Sequence, residues 1–404
     1  MCHSHTSRRA AMTTGTIANP HTTLTLQLLK TTTLPEIEEM TCRLANAKHG
    51  SVDIWLAKDL GSQFFKDSRI VTLLAAAAHR KMSARVIDWI VKPDERHTVE
   101  RFGSTLEGLA ALEFANAIVD ASKSDFHPSL REHRWAVVEK NGISSPEKTV
   151  GKALTFCAFD PELPTPIGFA GIRSKDDFLD RFRAYRRNCF EIGVGEGFTD
   201  SVPRDIERAI GSFAYELWQN SFQHGRLDQN NLEIRGMRYL RIRKHIGHDK
   251  AQFIRRAAGF QELQAYLQCQ VPVDGTYKFY EISIGDCGLG IVDRLLSTRP
   301  ELADRTHSSS DRAAFINRVM SDALTSKRTQ SGAGHGLQHA IQAVHVLQGF
   351  VSLRTGSNWL YYDARSDVDD KNTPCLSETQ HSGKLCSVGT QFSLIFPLVS
   401  SPRK

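Results

Sequence analysis

Glu216, Asn220 and His224 recur at four-residue intervals in Glu216-Leu-Trp-Gln-Asn220-Ser-Phe-Gln-His224-Gly225. On a helix they fall within an arc of about 80°, so one face presents all three. Mg²⁺ gives up its waters reluctantly, and a single amide oxygen such as that of Asn220 leaves most of its octahedron to water and phosphates. Asp286 opens Asp286-Cys-Gly288-Leu-Gly290. A carboxylate there can accept a hydrogen bond from an exocyclic amine, while Gly288 and Gly290 let the backbone approach a base closely. Gly332-Ala-Gly334-His335-Gly336-Leu337 runs into a helical pattern, Leu337, Ile341, Val344 and Leu347. Free N–H groups at a helix start, aided by the dipole, form an anion site, and small residues keep side chains clear of it. Lys327 stands just before these glycines, either as a point charge for a terminal phosphate or as a solvated lysine. His335 faces either phosphate or solvent. Each piece alone reads equally as an exposed helix face or a glycine turn. Together, in this order, they point to one magnesium nucleotide site.

Elements must bring these pieces together. Asp200, Ser201 and Pro203 form a helix start, and Ile206, Ile210, Phe213 and Leu217 repeat at helical spacing as a core-facing stripe. Tyr280, Ile282 and Ile284 alternate with polar residues and predict a strand that delivers Asp286 at its end. Phe350 to Arg354 and Trp359 to Tyr362 flank Thr355-Gly-Ser-Asn358, a hairpin signature, with Gly349 expected to cap the helix before it. Gly389-Thr390-Gln-Phe392-Ser-Leu394-Ile-Phe396-Pro397 predicts a further strand. Residues 291 to 331 form a long connection with a helix expected from Asp311 to Leu324, and residues 363 to 388 read as loop.

These four pieces resemble the N box and glycine boxes of the GHKL superfamily, which includes gyrase-type ATPases, heat-shock chaperones, histidine kinases and mismatch-repair ATPases. The resemblance covers about residues 200 to 400. It implies an α/β class with a C-terminal two-layer α/β sandwich of the Bergerat type, its mixed, largely antiparallel sheet lying under helices. It implies ATP and Mg²⁺ as ligands, Asn220 as the magnesium contact and Glu216 as the base. It further implies Asp286 as the adenine-specificity residue, Thr390 near the adenine, and 291–331 as an ATP lid that gates the site.

Residues 1–35 lack a sustained period and read as a flexible lead-in. Residues 36–125 read as a small α/β domain: strand Val52 to Leu56, helix Ser68 to Lys81, strand Ala84 to Val91 and helix Thr105 to Ser122. The stretch from Asp67 through Val86 resembles, faintly, the strand-helix-strand segment of STAS domains; an unrelated αβ unit is the alternative. Residues 126–199 read as a connector carrying a basic helix, Asp176 to Phe190, whose Arg181, Arg183, Arg186 and Arg187 suit a solvated face.

Lys plus Arg exceed Asp plus Glu by 51 − 45 = +6, which permits anionic ligands without requiring nucleic acid. The longest apolar run, Ile70 to Ala78 with Thr72 inside it, is far below the about 20 residues a bilayer requires. No membrane anchor is expected. The eight cysteines form no metal-ligand spacing, and the N-terminus lacks the apolar core of a secretory signal, so a cytoplasmic location is expected. The leading functional expectation is a slow, Mg-dependent ATPase acting as a conformational signalling switch, with a protein partner and a nucleotide-dependent homodimer as permitted assemblies. Glu-x-x-x-Asn-x-x-x-His-Gly also resembles anti-sigma serine/threonine kinases, and a nucleotide-gated module without chemistry stands as the third class. A sensor histidine kinase is disfavoured, because no helical His is followed by an acidic residue and, four positions on, a proline.

Overall fold

The computed structural model describes residues 23–47, 50–57, 59–88, 102, 105–120, 153–165, 169, 171–190, 202–321, 335–365, 374–383 and 388–398, without the side chains of 188–190 and 305. The architecture is mixed α/β. The N-terminal part alternates β1 (Leu24–Leu28), α1 (Leu34–Asn46), β2 (Ser51–Leu56), α2 (Lys66–His79), β3 (Ser83–Asp88), α3 (Leu106–Phe114) and β4 (Ala117–Val119). Its four strands are parallel and neighbour one another in chain order, with Leu26 opposite Ile54, Ile54 opposite Val86, and Val86 opposite Ile118. Leu26, Leu28, Val52, Ile54, Leu56, Ala84 and Val86 are buried at alternate positions, the period of two that a strand with one covered face requires. Helix α1 starts where Glu36 accepts the backbone N–H of Thr33 at 2.6 Å and its hydroxyl at 2.9 Å, closing the first turn.

The remainder runs β5 (Ala153–Asp160), α4 (Lys175–Phe190), α5 (Arg204–His224), β6 (Gly236–Gly247), α6 (Lys250–Arg256), α7 (Gln261–Gln268), β7 (Tyr277–Gly285), α8 (Ile291–Thr298), α9 (Ser309–Ser321), α10 (Gly336–Val346), β8 (Phe350–Thr355), β9 (Asn358–Asp363), β10 (Ser377–Glu378) and β11 (Thr390–Pro397). Seven strands form one sheet in the order β10-β9-β8-β11-β7-β6-β5. Every pairing among them is antiparallel. One face is apolar: Leu240, Ile242, Ile282, Ile284, Leu353 and Leu394 pack into a core with Ile210, Phe213 and Leu217 of α5 and Ile341 and Val344 of α10.

The other face is polar yet buried. Arg241, Ser283, Ser393 and Ser352 lie side by side across β6, β7, β11 and β8, and all four are excluded from solvent. The cover is α2, buried from Lys66 to Ala77, as expected of a helix enclosed on all sides. Its first turn meets the sheet with charge. Asp67 pairs with Arg243 and, at 2.8 Å, with Arg241. Burial alone would raise the Asp67 carboxyl, but these two guanidinia hold it below its ordinary value. Arg69 lies 3.1 Å from Glu38 of α1, which also takes Arg354 of β8 at 3.0 Å. Glu281 accepts the Phe65 N–H at 3.1 Å and holds His245 at 2.8 Å.

Several sequence expectations shift. The lead-in ends sooner than 35, since β1 and the first turn of α1 lie within it; residues 1–22 are outside the described set. The helix expected over 105–122 stops at Phe114, because Asn116 bonds β3 instead: Ala84 N–H donates to its Oδ1 at 2.9 Å and its own N–H donates to the Ala84 carbonyl at 2.8 Å. The strand expected over Ala84 to Val91 runs from Ser83 to Asp88, with 89–91 outside the described residues. Part of the expected connector belongs to the sheet, since β5 forms its edge. Ser377–Glu378 pairs with β9 inside the expected 363–388 loop. The left-handed residue after α10 is Gln348, φ 49°, rather than Gly349. The helix expected over 311–324 spans 309–321, with 322–324 outside the described residues. Ser68, within the STAS-like stretch, is buried beside the Tyr239 phenol. Among the described residues no helix is long and apolar enough to cross a membrane.

Removing one carboxylate from the buried network leaves guanidinia with no counter-charge. Glu38→Ala is expected to lower unfolding free energy by about 3–5 kcal/mol. Arg85→Ala, which breaks the half-exposed Asp53 pair, is expected to cost about 1 kcal/mol or less. Urea denaturation of both variants checks the contrast.

Candidate nucleotide-binding cleft

Helix α5 places Leu217, Asn220, Ser221 and His224 along one wall of a cleft of roughly 900 Å³, counted out to open solvent. Their spacing is the reason: residues three and four apart share a helix face. Gly225 follows, and the end of β7 brings Asp286 against it so closely that a Cβ on Gly225 would lie 2.4 Å from the Asp286 Cγ. Gly288 is equally confined, its notional Cβ 2.8 Å from the Gly225 carbonyl oxygen. These glycines let the α5 terminus and the β7 turn touch backbone to backbone.

Asp286 is fixed by the start of β11. Its N–H donates to the Thr390 carbonyl at 2.9 Å, and its Oδ1 accepts the N–H groups of Gly288 at 3.0 Å and Thr390 at 3.1 Å. Both bonds fall on Oδ1, which leaves Oδ2 as the acceptor for a ligand. Burial pushes the carboxyl up to about 6, against the lowering pull of the Gly288 and Thr390 amides. Gly389 permits the clamp: at φ 72° it has no room for a side chain, because a Cβ would fall 1.8 Å from the Asp286 carbonyl oxygen. Gly290, φ 86°, turns the chain into α8, where Thr355 Oγ1 accepts the Ile291 N–H at 2.9 Å.

Opposite lies the start of α10. Gly336 and Leu337 line the cleft, and a Cβ on Gly336 would stand 3.1 Å from Glu216 Oε2 and 3.5 Å from Asn220 Nδ2. The first N–H groups of this helix have no intrahelical acceptor. Asn220 Nδ2 is shut off from solvent and has no hydrogen-bond partner among the described residues. Glu216 stands beside the cleft, its Oε1 bonded to Lys175 Nζ at 2.6 Å and 3.9 Å from His339 Nδ1.

Seven of the residues named from sequence thus line one cleft: Asn220, His224, Asp286, Gly290, Gly336, Leu337 and Thr390. Gly288 and Glu216 support it from the second rank. His335 does not line it; it is exposed at the N-cap of α10, its Nδ1 3.1 Å from Gln338 Oε1. Lys327, Gly332 and Gly334 lie outside the described residues. Two cations escaped the sequence reading. Arg294 lines the cleft from α8 and reaches the Asp228 carbonyl at 3.1 Å and Asn231 Oδ1 at 2.8 Å. Its signal was position, four residues beyond Gly290 on the helix that the turn starts. Lys175 gave no local signal, since 41 residues separate it from Glu216.

Comparison with family models, curated proteins and solved structures found no match to this chain.

The raised Asp286 carboxyl sets a pH dependence. Its folded value of about 6 exceeds the ordinary 3.8, so folding favours the protonated form. Stability from this group is full below about pH 4 and is lost as pH rises through 6. Asp286→Asn removes that loss, so the stability of the variant relative to wild type is expected to rise between pH 4 and 7 in urea titrations. A constant difference across that range contradicts the assignment.

Proposed function

We propose that this chain is a GHKL-type ATP-binding protein, a slow Mg-dependent ATPase acting as a conformational switch, with a Bergerat-type α/β sandwich as its nucleotide domain. One observation carries the reading. Residues from four separated segments, Asn220, Asp286, Gly336 and Thr390, line a single cleft.

The donor set suits the ligand. Among the described residues Asn220 has no partner for its amide nitrogen, and its carbonyl oxygen is the hard donor Mg²⁺ takes. Asp286 is a half-buried acceptor for an adenine amine, and the start of α10 offers N–H groups to phosphate. Bound Mg²⁺–ATP supplies the electrophilic phosphorus and the leaving group. The protein's own contribution is positioning and proton transfer. Asn220 and the α10 amides hold the phosphate end, Asp286 and Thr390 hold the base end, and Glu216 orients a water and takes its proton at a carboxylate oxygen.

The Lys175 contact favours slow turnover. One oxygen of the Glu216 carboxylate is already engaged by Lys175 Nζ at 2.6 Å, which leaves Oε2 alone to take up a water, so the same geometry supports occupancy sensing without rapid chemistry.

Calorimetry with Mg²⁺–ATP is expected to show binding by wild type and weaker binding, by about tenfold or more, for Asn220→Ala and for Asp286→Asn. Unchanged affinity in both folded variants removes the site assignment. Glu216→Gln is expected to retain binding while phosphate release falls by about 10²-fold or more.

A further inference from the structure

The start of α10 offers amides to an anion, yet a carboxylate already stands against it. Glu216 Oε2 lies 3.1 Å from where a Cβ on Gly336 would sit, and the Glu216 side chain is 15% exposed. A phosphate bound at those amides meets this like charge within a few ångströms, where partial burial weakens screening. Unless the carboxylate is neutralised, the cleft rejects the anionic end of the ligand it otherwise fits.

Lys175 of α4 supplies that neutralisation. Its Nζ is 2.6 Å from Glu216 Oε1 and 5.0 Å from the Tyr215 ring centroid, a cation–π contact that steadies the ammonium beside α5. Among the described residues the other charge-bearing candidate near the carboxylate is His339, with Nδ1 at 3.9 Å. The far end of α4 is tied to the same helix, where Arg183 at 3.3 Å and Arg186 at 2.9 Å reach Glu207 of α5. Helices α4 and α5 therefore run antiparallel with ion pairs at both ends, and the Lys175 pair is the one at the cleft.

We propose that Lys175 is a specificity-determining residue of the cleft: by cancelling the Glu216 charge at the start of α10, it admits ligands that carry distal phosphates. The inference rests on the nucleotide reading of the cleft and adds to it a residue that sequence motifs do not mark. The recognised ligand class is a nucleoside with a phosphate chain, and the contribution of Lys175 grows with the number of phosphates.

The test is calorimetry with Mg²⁺ and, separately, ATP, ADP and adenosine as probes, on wild type, Lys175→Met, Lys175→Arg, Glu216→Gln and the Lys175→Met/Glu216→Gln double variant. Lys175 is 41% exposed on its side chain, so these variants are expected to fold, and thermal unfolding verifies this. Lys175→Met is expected to weaken ATP about tenfold, ADP less, and adenosine by less than about twofold. Lys175→Arg retains wild-type affinity. The double variant, with neither charge, recovers ATP binding. Equal weakening for ATP and adenosine, or a double variant no better than Lys175→Met, overturns the inference while leaving the nucleotide reading intact. Absence of ATP, ADP and adenosine binding by wild type overturns the reading itself and the inference with it.

Discussion

Buried charge between α2 and the back of the seven-stranded sheet governs how this molecule holds together. Asp67, Glu38 and Glu281 face Arg241, Arg243, Arg69, Arg354 and His245 in a layer that is buried except at the partly exposed Arg243. Taking such groups out of water is costly, and only full pairing offsets the cost. The sheet therefore cannot expose this face one residue at a time, nor can the parallel strands retract without stranding guanidinia. A buried ionic layer is weak evidence of extra stability, but it fixes one register between the two sheets, because Asp67 must meet Arg241 and Arg243 while Glu38 meets Arg69 and Arg354.

The cleft lies on the opposite face of that sheet, and a short physical path joins the two. Tyr239 of β6 pairs with Gly285 of β7, and its hydroxyl oxygen fills the space a Gly285 side chain would need, 2.5 Å from a notional Cβ. Ser68 of α2 stands beside the same phenol. Gly285 is the residue before Asp286. One ring and one glycine thus stand between α2 and the Asp286 carboxylate. Cys287, on the other side of Asp286, is buried in the cluster that contains Val71, Leu74 and Ala75 of α2. The α2 helix therefore buttresses the cleft floor from behind as well as filling the space between the sheets.

Much of the C-terminal half was legible because its signals are local. Ile206, Ile210, Phe213 and Leu217 repeat at helical spacing, and Tyr280, Ile282 and Ile284 alternate, so α5 and β7 follow from periodicity alone. The convergence of Asn220, Asp286, Gly336 and Thr390 was legible only through the order of several motifs, none sufficient singly. What stayed hidden depends on partners remote in sequence. Val52-Asp-Ile-Trp-Leu56 reveals a strand, but not that it pairs in parallel with 24–28, a segment whose Thr-rich surroundings mask the Leu24, Leu26, Leu28 alternation. Nothing in the sequence neighbourhood of Arg241 and Arg243 in β6 announces the helix that covers them. Asn116 ended a helix that apolar content would have continued, through hydrogen bonds to a strand some thirty residues earlier. Lys175 was missed for the same reason, a cation 41 residues from its carboxylate carrying no local pattern, whereas Arg294 was marked only by its place one turn past Gly290.

The central claim is that one cleft, floored by Asp286 and ended by the first turn of α10, holds a nucleotide with its base at the former and its phosphates at the latter. A crystal structure of the chain grown with Mg²⁺ and a non-hydrolysable ATP analogue tests this most directly. The account predicts the adenine amine within hydrogen-bonding distance of Asp286, the metal on Asn220 Oδ1, and phosphate oxygens on the N–H groups beginning at Gly336. An analogue bound elsewhere, or seated with its phosphates at Asp286, would contradict it.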